Sequence, residues 1–205
     1  MDVLVACETS GAVRNAFRDR GHDAWSCDLL PSDRSSDYHI QGDALEVIPS
    51  RAWDLMIAHP PCTYLSSSGL HWNTRRPGRE QKTTAALQFV QALLGAPIQK
   101  IAIENPVGRI GTAIRKADQY IQPYEFGHDA SKRTGLWLTG LPTLQPTQYV
   151  EPRIVGNKKR WANQTDSGQN RLGPSPDRWA KRAETYTGIA QAMATQWGLT
   201  CSMEQ

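Results

Sequence analysis

Cysteine is scarce in this 205-residue sequence, and the four present, Cys7, Cys27, Cys62 and Cys201, form no CxxC pair and no Cys/His ligand spacing. A disulfide framework and a structural metal site are thereby set aside, and the expectation is a reduced, metal-free chain. Long hydrophobic runs are also missing: nothing approaches the ~18 to 20 apolar residues that cross a bilayer. The first residues, MDVLVACETSG, carry neither the basic region nor the apolar stretch of a secretory leader. A soluble, cytoplasmic protein without a membrane partner is therefore expected. Charge of one sign is in small excess, a formal +3 from 23 Lys/Arg and 20 Asp/Glu, so a case for nucleic acid must rest on where the basic residues lie. With 39% hydrophobic and 21% charged residues, the composition shows no sign of disorder, and one domain spanning residues 1–205 is expected.

What is present is an alternation of apolar β-like runs and helical patterns. Val3 to Ala6 reads as a strand, the turn Cys7-Glu8-Thr9-Ser10-Gly11 follows, and Val13, Ala16 and Phe17 fall at helical spacing over residues 12–20. A second strand over His22 to Cys27 stops at Asp28, and a third, edge-like segment reaches Gly42-Asp43. Trp53 to Ile57 and Lys100 to Ile103 read as further buried strands, with a helix from Glu80 to Leu94 between them. This order predicts an α/β, Rossmann-like fold with a mostly parallel, doubly wound sheet. Tyr120 to Phe126 and Thr134 to Leu138 are expected to add an antiparallel hairpin at one edge. Residues 141–175, rich in Pro, Gly, Asn, Gln and Thr, are expected to be a long loop region, followed by a last helix around Trp179 to Trp197.

Two strand ends carry chemistry. Pro60-Pro61-Cys62 follows one, and Glu104-Asn105-Pro106 ends the other, so a thiol and a carboxylate share the edge where α/β enzymes place their sites. The turn after the first strand holds a single glycine, Gly11, where a phosphate-binding fingerprint needs three. A nucleoside ligand without phosphates fits that turn better. S-adenosyl-L-methionine is such a ligand, with ribose hydroxyls for Asp28, the adenine amino group for Asp43 and the methionine tail over Cys7 to Gly11. Each aspartate could instead simply cap its loop.

With these residues in view, the chain resembles the DNA (cytosine-5)-methyltransferase family. The resemblance lies in Pro61-Cys62-Thr63-Tyr64-Leu65-Ser66-Ser67-Ser68-Gly69, in Glu104-Asn105-Pro106, in Lys132-Arg133-Thr134, in Gly42-Asp43, and in Thr185-Tyr186-Thr187-Gly188-Ile189-Ala190 as the closing helix motif. The first glycine-rich motif is reduced to Cys7–Gly11, Gly135 stands in place of a second arginine, and there is no room for a full target-recognition domain. The resemblance implies an S-adenosylmethionine-dependent methyltransferase fold, with cofactor contacts from Ala6, Glu8, Gly11, Asp28, Asp43, Pro60 and Thr187. It also implies a catalytic set of Cys62, Glu104 and Arg133. Cys62 would add as a thiolate to carbon 6 of cytosine and make carbon 5 nucleophilic. Glu104 would meet N3 and the exocyclic amino group, its apolar strand favouring the protonated form. Arg133 would reach O2 of the base or a phosphate.

DNA is the implied partner, with duplex cytosine rotated out of the stack or the strand already single. Candidate contacts are Ser66, the basic, aromatic-bearing stretch holding His71, Arg75 and Arg76, and the patch Lys158-Lys159-Arg160. Residues 151–182 hold eight Lys/Arg against three acids, a net of +5, so the small positive excess is concentrated there and residues 141–182 are read as a reduced recognition segment. A chain this small could also form a homodimer to gain DNA contacts. Two alternatives stay open: carbon-5 modification of a free pyrimidine nucleotide such as dCMP, and a DNA- or cofactor-binding relative without catalysis. Methylation of an exocyclic amino group fits less well, because its polar Asp/Asn-Pro-Pro-aromatic loop here begins with His59 and ends with Cys62.

Overall fold

The computed structural model describes residues 1–173 and 185–199. Nine strands are described: β1 (Asp2–Ala6), β2 (Asp23–Asp28), β3 (His39–Gln41), β4 (Leu55–Ala58), β5 (Lys100–Pro106), β6 (Gln119–Ile121), β7 (Thr134–Thr139), β8 (Arg153–Val155) and β9 (Lys158–Arg160). The helices are α1 (Ala12–Arg18), α2 (Ala44–Val47), α3 (Ser67–Leu70), α4 (Arg79–Leu94), α5 (Ile110–Ala113) and α6 (Thr187–Leu199). Seven strands form one sheet in the order β3-β2-β1-β4-β5-β7-β6, in which only β7 runs against its neighbours. The α/β, doubly wound architecture expected from the sequence is the one observed.

Side chains of a strand point alternately to opposite faces, and the central strands use both. Val3, Val5, Leu55 and Ile57 pack with Phe17 of α1 and Met193 and Trp197 of α6 on one face. Leu4, Ala6, Met56 and Ala58 pack with Val47 of α2 and Val90 and Leu93 of α4 on the other. Burial on both faces explains why these strands read as continuous apolar runs rather than as alternating ones. The parallel strands β1, β2, β4 and β5 consequently present their carboxyl ends at one edge.

Three expectations change in detail. The expected strand from Tyr120 to Phe126 stops at Ile121, because Pro123 has no N–H for a ladder and starts a 3-10 turn, Pro123–Glu125, closed by Gln122 N donating to Glu125 Oε2 at 2.7 Å. The hairpin does form, with β7 inserted between β5 and β6 so that the reversed strand is interior to the sheet. The 141–175 stretch is not all loop: β8 and β9 pair antiparallel, Ile154 opposite Lys159, across a turn at Gly156 with φ +58°. The last helix begins at Thr187, and Trp179, Arg178, Lys181, Arg182 and Cys201 lie outside the described residues.

Candidate active site

The turn after β1 is held by its own helix. Glu8, 4% exposed, accepts Val13 N at 2.7 Å and Arg14 N at 3.3 Å, satisfying amides at the start of α1. Both of its carboxylate oxygens are thus given to α1 rather than held out toward a ligand. Gly11 is in the left-handed region, φ +69°, and a Cβ there would come within 2.1 Å of the Arg14 guanidinium. That guanidinium donates to Ser26 Oγ at 2.7 Å, and Ser26 Oγ shares a hydrogen bond with His39 Nδ1 at 2.8 Å, linking α1, β2 and β3 beneath the turn. Ala6, at the end of β1, is buried and its carbonyl accepts His59 N–H at 2.9 Å.

Asp28 and Asp43 each use Oδ1 locally, accepting Leu30 N and Leu45 N respectively, both at 2.9 Å. A carboxylate has a second oxygen, so the capping geometry leaves Oδ2 of each for a ligand. Their closeness to the turn is felt at Cys7, whose thiol is pushed up to about 12 by burial and then by the charges of Asp28, Cys27 and Asp43. Leu29 and Leu30, 71% and 52% exposed, present apolar surface immediately beyond Asp28. Neither is among the expected site residues, although two leucines directly after a strand-end acid are visible in the sequence.

The tips of β4 and β5 are fastened to each other. His59 Nδ1 lies 2.7 Å from Glu104 Oε2, the two side chains being 11% and 16% exposed. Asn105, 1% exposed, donates through Nδ2 to the Pro60 carbonyl at 2.7 Å. Further on, Ser67 N donates to Val107 O at 3.0 Å and Arg109 N to Leu65 O at 2.7 Å. Cys62, half-buried at the head of the 3-10 turn Cys62–Tyr64, sits between these two sets of bonds in sequence. Ser66 pairs with Gly108 in an isolated bridge and shares a 3.2 Å hydrogen bond with Ser68.

Burial alone would raise the Glu104 pKa. The hydrogen bond from His59, the positive charge of Lys132 and a hydrogen bond from Thr134 overturn that, and the carboxyl is held below its ordinary value. For His59, burial acts downward, but the hydrogen bond and charge of Glu104, with Glu8 adding and Lys132 opposing, hold the imidazole above its ordinary value. Both directions favour an imidazolium–carboxylate pair. This corrects the expectation of a protonated Glu104: the apolar strand is there, but an ionic partner outweighs it.

Arg133 is exposed and its guanidinium stacks 4.2 Å over the Tyr120 ring on β6. Its neighbour Lys132 is the cation that acts on Glu104 and His59. Thr187, exposed at the start of α6, lies 3.4 Å from His128 Nε2, which also accepts Gly188 N–H at 2.9 Å. Around the stretch after the cysteine loop, His71 and Trp72 rings are 4.7 Å apart and Arg76 stacks 4.2 Å over Trp72, while Arg75 is exposed. Lys158 and Lys159 are exposed on β9, and Arg160 turns back to donate to Asp166 O at 3.0 Å.

No family model and no curated protein matches the chain. Solved structures do. One is a candidate DNA modification methyltransferase encoded within an E. coli prophage, 15% identical with a TM-score of 0.46, covering 77% of this chain and 53% of that one. Another is the 16S rRNA methylase RmtB, 18% identical with a TM-score of 0.32, covering 67% and 54%. The chain spans about half the length of each. Likenesses of this size leave the functional reading to the chain's own geometry.

Asn105, Lys132 and Thr134 stand in the sequence only within the Glu104 and Arg133 motifs, His59 only as the residue before Pro60-Pro61, and Gly108 in no motif; the structure gives each a part at this site. His59 was visible, as the polar residue directly before Pro60-Pro61, but only the register of β4 against β5, Ala58 opposite Ile103, brings it to Glu104. Among the described residues no group of three or more His, Cys, Asp or Glu side chains could hold a metal ion. No described helix is long and apolar enough to cross a membrane.

Proposed function

We propose that this chain is an S-adenosylmethionine-dependent methyltransferase acting on carbon 5 of cytosine in DNA through a covalent adduct of Cys62 at carbon 6. The observation that carries the reading is the fastening of the Cys62 loop to the Glu104 strand end by His59–Glu104 and Asn105–Pro60. A thiol that must attack one atom of a pyrimidine ring while a carboxylate holds the ring's other edge needs both groups on one rigid frame.

The residues after β1, β2 and β3 fit the cofactor. The two aspartates oppose a phosphate and suit hydroxyl and amino groups, and the exposed Leu29 and Leu30 offer a surface for a flat ring. Asp28, Asp43 and the Cys7–Gly11 turn would hold it, with Pro60 and Thr187 on the flanking loops. When bound, the cofactor supplies an electrophilic methyl group. Glu104, ionised, accepts a hydrogen bond from the exocyclic amino group of cytosine, a donor that uracil lacks. Cys62 forms the bond to carbon 6, pushing charge toward N3. Arg76 and Trp72, stacked on one another, would flank the extruded base, and the β8–β9 ribbon would meet phosphates through Lys158 and Lys159, so that residues 141–182 serve as a short recognition segment of a single domain.

The test is transfer of labelled methyl groups to duplex DNA, single-stranded DNA and dCMP in parallel, with nucleoside analysis. 5-Methylcytosine in DNA is expected. Label in dCMP alone would establish a nucleotide-modifying enzyme instead, and cofactor or DNA binding without transfer would make the chain a non-catalytic relative.

A further inference from the structure

We infer that His59 is a positioning residue and proton reservoir for Glu104, so that the addition of Cys62 to the base draws on the proton carried by the imidazole; this rests on the function proposed above. The residue is largely buried and held at its backbone and at one ring nitrogen. Its backbone N–H is bonded to Ala6 O at 2.9 Å, its Nδ1 lies 2.7 Å from Glu104 Oε2, and its side chain is 11% exposed. The charged groups that face it are Glu104 on β5, Glu8 after β1 and Lys132 before β7. Two acids against one lysine favour a cation at this point. His59 Nε2 and Asn105 Oδ1 are both buried without a hydrogen-bond partner among the described residues. Buried polar atoms are normally satisfied, so these two atoms, one in the Glu104 pair and one on the next residue, are suited to bond polar groups brought to the site.

The ionic state of the pair creates the need for a reservoir. As the Cys62 Sγ–C6 bond forms, the C5=C6 electron pair moves into the C4–C5 bond and the C4=N3 pair moves onto N3, which must gain a proton. Glu104 is the group facing N3, yet it is held as a carboxylate. The proton on His59 Nδ1 passes to Glu104 and on to N3, leaving a neutral imidazole. As C5 takes the methyl group, the C4=N3 bond re-forms and the N3 proton returns through Glu104 to His59, so the pair is again imidazolium and carboxylate; a water molecule acting as base then removes the C5 proton, whose electron pair makes C5=C6 and expels the Cys62 thiolate. No oxidant or metal is required.

The experiment joins an imidazole titration by NMR, on the wild type and Glu104→Gln, to pH profiles of methyl transfer for the wild type, His59→Asn and His59→Leu. The expected results are a His59 midpoint above the ordinary ~6.5 that falls when Glu104 is neutralised, and a wild-type alkaline limb that follows that midpoint. His59→Asn keeps an N–H near the Nδ1 position without the charge. It should orient Glu104, lose at least about tenfold in kcat and lack the alkaline limb. His59→Leu should lose about a hundredfold, the lower end of general acid-base contributions, with cofactor affinity within about twofold of wild type. A wild-type kcat and alkaline limb in either His59 variant, or a His59 midpoint indifferent to Glu104→Gln, overturns the inference. A wild type that transfers no methyl group overturns the functional reading instead, and the titration then decides the pairing alone, whether or not the leucine variant folds.

Discussion

Gly108 carries no side chain because the Leu65 carbonyl oxygen stands 2.0 Å from where a Cβ would be. The contact is backbone on backbone, so no flexible side chain can move aside to relieve it. Gly108→Ala should force the Cys62 loop away from the strand end that bears Glu104 and cost about 1 to 3 kcal/mol of stability, the usual range for overpacking. Thermal unfolding would measure that loss, and methyl transfer should fall further than the stability alone explains. Cys62→Ala tests the neighbouring claim: transfer abolished, cofactor binding unaltered by calorimetry. Asp43→Ala removes both a helix cap and a proposed adenine contact, so it should weaken cofactor binding at least about tenfold while Leu45 N loses its acceptor. Asp43→Ser, which can restore the cap but not the charge, separates the two effects: recovered stability with cofactor binding still weak is expected.

At the scale of elements, what the sequence made legible was whatever local chemistry dictates. The buried strands β1, β4 and β5 announced themselves as apolar runs, and both reactive groups fall at strand ends that could be read directly. The limits are equally physical. Pro123 breaks the β6 stretch through a missing amide, a signal present in the sequence but overridden there by the surrounding aromatic residues. The β8–β9 ribbon pairs the triplet Arg-Ile-Val with Lys-Lys-Arg, and its turn has Gly156 at a positive φ, a pairing too short for any apolar alternation to show. His59–Glu104 needs the register between two strands, which no local pattern carries. The ribbon also supplies a prediction: Lys158→Ala with Lys159→Ala should lower DNA affinity and reduce the log-log salt slope by about 1.8, with cofactor binding unchanged. An unaltered slope would remove these lysines from the DNA interface.

For the molecule as a whole, the buried ion pair ties stability to pH. Glu104 is held below its ordinary value of 4.5, so its contribution is present above that pH and fades as acid brings the pH down through its folded pKa. His59 is held above 6.5, so its contribution is complete below that pH and is lost as the pH rises through the folded value. The pair therefore supports the fold most between about 4.5 and 6.5. The stability difference between wild type and His59→Leu, from denaturant titrations at several pH values, should be largest in that window and shrink in alkali. Breaking one side of such a pair typically costs about 3 to 5 kcal/mol. The thiols offer a separate practical handle. Cys7 and Cys27, pushed up to about 12 and about 11, are almost entirely un-ionised near neutrality and packed against the sheet, so they should be chemically silent. In a Cys201→Ser background, a maleimide or iodoacetamide should thus modify this protein once, at the peptide holding Cys62, and protection of that peptide by DNA would turn simple alkylation into a count of occupied sites.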